Sequence, residues 1–177
     1  MFSGKSSRLI SYIDRCKYQR RTVAAFKPAM DDRFGSSFIS THGGLRVEAT
    51  CVKTGAQLLE VLLSLPVLPE VVALDEAWMV SGSASALIDV FRMGISVAVA
   101  SIDLLANGKE TTEVMRMLPW ATHVETCAAV CTVCGQDAFY SHMRVQDDRD
   151  VCIGGSELYE SRCYAHAPAI NLKPAAP

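Results

Sequence analysis

The chain has almost no excess charge of either sign: seventeen basic residues stand against nineteen acidic ones, a formal net charge of −2. The absence of a global positive field to hold a phosphate backbone argues against a dedicated nucleic-acid binder, but not against a small anionic ligand in one local pocket. Membrane-length apolar runs are also missing. The stretch 58–68 carries Glu60 and Pro66, and the stretch 94–106 is broken by Asp103. The opening Met1-Phe2-Ser3-Gly4-Lys5 lacks the charged-then-apolar layout of a secretory signal. The expectation is therefore a soluble, cytoplasmic protein with neither membrane nor nucleic acid as partner. Nor is there an even set of cysteines for a disulfide framework. There are seven, with Cys16 and Cys51 isolated and Cys127, Cys131, Cys134, Cys152 and Cys163 crowded into the last third, a distribution that argues for metal ligation. What the chain does have is apolar material. Half of its 177 residues are hydrophobic and 20% are charged, enough to bury a core in one domain with a small appendage and too apolar for a disordered chain.

Helix and strand patterns alternate over the first 130 residues. Leu9, Ile10, Ile13 and Cys16 fall at helical spacing and predict a helix over 6–21. Residues 22–26 form a short β-prone run, and 31–44, polar and rich in Gly and Ser, predict a mobile loop. A strand is expected over 46–52, a helix over 55–63, a strand buried on both faces from Val71 to Leu74, a helix over 83–92 ended by Gly94, and another buried strand over 95–100. Such alternation predicts a doubly wound parallel sheet, with ligands beyond the C-terminal ends of its strands. Past residue 127 the pattern changes to short segments and cysteines. The expected division is an α/β domain over 1–127, a small cysteine-bearing domain over 128–167, and a frayed tail over 168–177.

Three constellations carry chemistry. Gly4-Lys5-Ser6 at a helix start is the last half of a phosphate-binding loop, in which backbone N–H groups and the helix dipole cradle an anion, Lys reaches the terminal phosphates and Ser binds Mg²⁺. The first glycine of the full pattern and its leading strand would precede Met1. Leu74-Asp75-Glu76, at the end of a buried strand, supplies the carboxylate partner that helps hold Mg²⁺. Cys131-x-x-Cys134 followed by Cys163-x-x-His166 provides two turn-borne ligand pairs, the makings of a tetrahedral Cys₃His zinc site. With all four positions filled by protein, that zinc is structural.

On these residues the chain resembles the type II (cytosolic-type) thymidine kinases, from Met1 to about Ala167. The matching stretches are MFSGKS (1–6), FKPAMDDRFG (26–35), THGG (41–44), ALDEA (73–77), CTVCG (131–135) and IGGSELYESRCYAH (153–166). The resemblance implies a homotetramer with a P-loop α/β domain and a small zinc ribbon carrying a lasso loop. The implied reaction transfers the γ-phosphoryl group of ATP to the 5′-hydroxyl of thymidine, giving dTMP for DNA synthesis, with Mg²⁺ as cofactor. By position, Glu76 is implied as general base. Met1, Phe2, Ser3, Gly4 and Lys5 would hold phosphates, Ser6 and Asp75 would serve Mg²⁺, and Asp31 and Arg33 match an Asp-x-Arg acting near the phosphates. Val151, Cys152, Ile153 and Gly154 match the lasso that reads the thymine edge, and Tyr159 a tyrosine that holds the nucleoside. Cys131, Cys134, Cys163 and His166 match the zinc ligands.

The chain departs from the family at Trp78, where an amide residue is usual, and at Ala106 and Thr111, where aromatics line the base pocket. Trp78 is expected to refill that space as a stacking surface. Two alternatives stay open: a deoxynucleoside kinase with altered base preference, and a non-catalytic nucleotide-binding zinc-ribbon module. The net charge and the presence of Glu76 and Arg33 count against the second.

Overall fold

The computed structural model describes residues 2–31, 37–41, 43–144, 154–155 and 157–170. The chain divides into two compact units. One is Lys5–Ile102 with Thr112–His123; the other is Met1–Gly4 with Asp103–Thr111 and Val124–Pro177.

The first unit is a parallel sheet with helices on both faces. Helix α1 (Lys5–Tyr18) buries Leu9, Ile10, Ile13 and Cys16, one stripe at helical spacing. Strands β1 (Val23–Pro28), β4 (Thr50–Val52), β5 (Val71–Asp75) and β6 (Ser96–Ala100) pair in the order β4-β1-β5-β6, every pair parallel. All five residues of β5 are buried, as its unbroken apolar run predicts. Because successive strand side chains point to opposite faces, Phe26, Val72 and Leu74 pack with Leu58 and Leu62 of α2 (Gly55–Leu63) and Leu87 and Val90 of α3 (Ser83–Arg92). Ala25, Ala73 and Ala100 face the other way, onto Leu9, Ile10 and Ile13 of α1. Each such buried Leu, Ile or Phe contributes about 1.5–3 kcal/mol. Helix α2 starts where it does because the Thr54 hydroxyl accepts from Gln57 N–H (3.1 Å), while the Gln57 side chain accepts from Lys53 N–H (2.8 Å).

Three expectations are corrected. The stretch 31–44 is not wholly loop: it contains β2 (Phe38–Ser40), paired antiparallel with β3 (Arg46–Glu48). The single strand expected over 46–52 is two strands in different sheets: the Ala49 N–H still bonds the Ser37 carbonyl (3.0 Å) in register with β2, whereas Thr50 pairs with Phe26 of β1. β6 is not buried on both faces; it pairs only with β5 in the described sheet, and Val99 is 39% exposed. A short helix, α4 (Thr112–Met117), lies outside the elements expected from the sequence.

The second unit carries two antiparallel hairpins, β7 (Ala129–Val130) with β8 (Asp137–Ala138) and β9 (Tyr140–Met143) with β10 (Tyr159–Arg162). Among the described residues its buried apolar cluster is Ala129, Cys131 and Ala138 with Cys163 against it, little apolar area to hold a fold without a staple. Among the described residues, no helix is long and apolar enough to cross a membrane.

Candidate active site and metal centre

In the first unit, the start of α1 meets the end of β5. The Ser6 hydroxyl donates to the Asp75 carboxylate, 2.9 Å from Oδ2 and 3.1 Å from Oδ1. Asp75 is buried. Burial, and next the adjacent charge of Glu76, push its carboxyl up to about 7, against the opposing pull of the Ser6 hydrogen bond and the Lys5 ammonium. Two hard oxygen donors side by side, one an under-compensated anion, suit a Mg²⁺ ion, which favours carboxylate and hydroxyl oxygen.

Glu76 leaves β5 in the left-handed region, at φ 47, a conformation costing a non-glycine residue on the order of 1–3 kcal/mol. The single turn at Ala77–Met79 then folds Trp78 back, and its indole Nε1–H donates to Glu76 Oε2 at 2.8 Å. The Trp78 backbone N–H is held by Ser101 Oγ (3.1 Å), just past β6, and the buried Ser83 hydroxyl donates to the Ala77 carbonyl (2.9 Å). Glu113 of α4 caps α3, accepting from Gly82 N–H and Ala84 N–H at 2.8 Å each. The sequence carries no local signal for these contacts. The indole–carboxylate pair depends on a positive φ at a glutamate, and the cap joins residues about thirty apart.

In the second unit, Cys131 and Cys134 lie on the turn between β7 and β8, tightened by Gly135 at φ 75, whose N–H bonds the Cys131 carbonyl (2.9 Å). Cys163 and His166 lie on the turn after β10. The four ligand atoms all lie within 4.8 Å of one another. Cys134 Sγ is 3.7 Å from Cys163 Sγ, and His166 Nδ1 is 3.2 Å from Cys163 Sγ and 3.8 Å from Cys131 Sγ. Tetrahedral zinc with bonds of about 2.0–2.3 Å needs ligand atoms roughly 3.5–3.8 Å apart, so the donor set and spacing fit. Burial raises the Cys131 thiol, but the backbone N–H groups of Cys163, Val133 and Cys134 outweigh it and bring it to about 6. At Cys134 the Gln136 N–H lowers the thiol, yet burial and the neighbouring Cys131 and Cys163 sulfurs leave it raised. Thr132, inside the Cys-x-x-Cys turn, donates to Glu160 Oε2 (3.0 Å), and Arg162 pairs with Glu160 Oε1. The metal turn is thereby tied to β10, whose first residue is Tyr159.

The structure thus brings Ser6 to Asp75, and gathers Cys131, Cys134, Cys163 and His166. Gly4 precedes α1 at φ 78, where glycine is unstrained; Phe2 and Ser3 lie just before it. Asp31 is buried in the turn after β1, its N–H on the Pro28 carbonyl (3.1 Å). Gly154 is partly buried. Met1, Arg33, Val151, Cys152 and Ile153 lie outside the described residues. Thr111 is buried, its N–H and hydroxyl both on the Asp103 carbonyl (2.8 and 3.1 Å), so it closes its own loop.

A parallel sheet sheathed by helices, whose central strand ends in Asp-Glu beside a serine at a helix start, defines the class of nucleotide-handling α/β proteins. The family model described as thymidine kinase matches residues 1–167. The chain belongs to the thymidine kinase family: it is a kinase, a phosphotransferase, carrying a Cys₃His cluster fit for zinc.

Proposed function

We propose that the protein transfers the γ-phosphoryl group of ATP to the 5′-hydroxyl of thymidine. The acceptor oxygen forms the new bond to γ-phosphorus, the bond to the β,γ-bridging oxygen breaks, ADP leaves, and the hydroxyl proton passes to Glu76. The observation that carries this reading is the Ser6–Asp75 pair, with Glu76 the very next residue, in a chain matched to the family over 1–167. Phosphoryl transfer asks the protein for positioning and charge neutralisation rather than covalent chemistry. Lys5 and the amides of Phe2, Ser3 and Gly4 are assigned to the phosphates, with Asp31 and Arg33 near them. Ser6 and Asp75 would hold Mg²⁺, which supplies neutralisation of phosphate charge. General-base help from Glu76 is worth about 10²–10⁴-fold. Residues 151–154 and Tyr159 are assigned to the nucleoside.

The proposal includes assembly as a homotetramer, which the family resemblance implies, and exposed Leu63, Val67, Phe91 and Met93 offer apolar area for subunit contacts. A zinc set built from thiolates needs reduced cysteines, which favours the cytoplasm. A shifted base preference is the second reading, favoured by Thr111: it is spent on Asp103 where the family places an aromatic.

The test is ADP release by the purified chain with ATP and Mg²⁺, with and without thymidine. Thymidine-dependent release that vanishes without Mg²⁺ is expected. Release stimulated only by other deoxynucleosides supports the second reading, and none with any nucleoside overturns both.

A further inference from the structure

We propose that Trp78 is a positioning residue for Glu76: its indole N–H holds one carboxylate oxygen and so dedicates the other to the acceptor hydroxyl. This inference rests on Glu76 being the base of the proposed reaction.

A carboxylate on a two-carbon stem rotates about its terminal bond, and a base is effective only when one oxygen is held within hydrogen-bond reach of the proton it takes. Here Oε2 accepts the indole N–H at 2.8 Å, whereas Oε1 has no hydrogen-bond partner among the described residues. The donor is itself anchored. The Trp78 N–H is on Ser101 Oγ at 3.1 Å, the Met79 N–H is on the Glu76 carbonyl at 3.0 Å, and the Ser83 hydroxyl is on the Ala77 carbonyl at 2.9 Å. The turn that carries the ring is therefore braced by Ser101 just past β6, by its own backbone bond and by Ser83 of α3.

The chemistry of the donor matters too. An indole nitrogen donates and cannot accept. A histidine or tyrosine in its place could take up the proton or compete as an acid, whereas Trp78 can only steady the carboxylate, leaving the abstracted proton on Oε1. That role makes the N–H, not the aromatic face, the working part of the side chain.

The experiment compares wild type, Trp78→Phe and Trp78→Gln as full-length, zinc-loaded protein. Trp78→Phe keeps a ring and loses the donor; Trp78→Gln loses the ring and restores an N–H. A hydrogen bond to a charged group is worth roughly 10–100-fold, so Trp78→Phe should lower kcat by that factor with KM for thymidine changed less than about threefold, as for an interaction that orients without binding substrate. Trp78→Gln should recover most of kcat. Phe at wild-type kcat, or Gln no faster than Phe, overturns the inference, since a stacking face would show the reverse order and a raised KM. An NMR readout is independent of turnover. The chain has two tryptophans, and the Trp78 indole proton should move upfield in Glu76→Ala; an unmoved resonance contradicts the pairing. The two failures separate, because an inactive wild type sinks the proposed function, whereas an active enzyme indifferent to Trp78→Phe sinks only this inference.

Discussion

The hydroxyl of Ser6 sits 2.9 Å from a carboxylate oxygen of Asp75, although the two residues are 69 positions apart. Burial of Asp75 is the larger part of its cost, and the Glu76 charge beside it adds to it, so that near neutrality the group carries a proton a substantial fraction of the time.

A metal ion at that carboxylate must displace the proton. Mg²⁺ affinity in the presence of a non-hydrolysable ATP analogue should therefore rise with pH up to about 7 and level off above it, with proton release on binding at lower pH. Calorimetry in two buffers of different ionisation enthalpy checks this; binding with no proton exchange below neutrality contradicts it.

The same shift has a sign for stability. A carboxyl whose pKa is raised on folding favours the folded state at low pH, and that contribution is lost as pH rises through about 7. Asp75→Asn should raise the metal-free Tm at about pH 8.5 and gain much less at about pH 5. Equal shifts at both pH values would remove Asp75 as the cause.

Zinc retention should depend on pH in the opposite region. Cys131 titrates at about 6 without metal, and a bound cation holds the thiolate further down, so zinc should stay bound at neutrality and be released only as pH falls below about 6. A colorimetric zinc assay should find about one ion per chain and none after Cys134→Ser. Full retention in that variant would contradict the four-ligand site.

Gly55 is a packing constraint rather than a conformational one. A β-carbon there would stand 2.1 Å from the carbonyl oxygen of Gly82 and 2.5 Å from its carbon, both backbone. Gly55→Ala should cost about 1–3 kcal/mol and lower Tm by roughly 2–12 °C, as read by far-ultraviolet circular dichroism. An unchanged Tm would mean that the α2–α3 approach is softer than its geometry implies.

What could be read from the chain alone was local. Helices α2 and α3 end where their apolar spacing, Thr54 and Gly94 place the limits, and β5 follows from an unbroken apolar run. The zinc quartet was legible because each ligand pair is a turn with its own spacing. The break at Ala49 was not, since there the chain passes from a hairpin whose strands are three residues each to pairing with β1, a change of partner that leaves no local pattern. Nor was the link between Trp78 and Glu76, which exists only because the backbone at Glu76 adopts φ 47. Position suggested a stacking surface for Trp78; its hydrogen bond turns attention to the indole N–H.

The most direct measurement is single-turnover transfer of radiolabelled γ-phosphate from ATP to thymidine by wild type and Glu76→Gln. With Glu76 as the base, wild type yields labelled thymidine 5′-monophosphate, and the variant keeps its ATP affinity while transfer slows by about 10²–10⁴-fold. Undiminished transfer by Glu76→Gln would contradict that role.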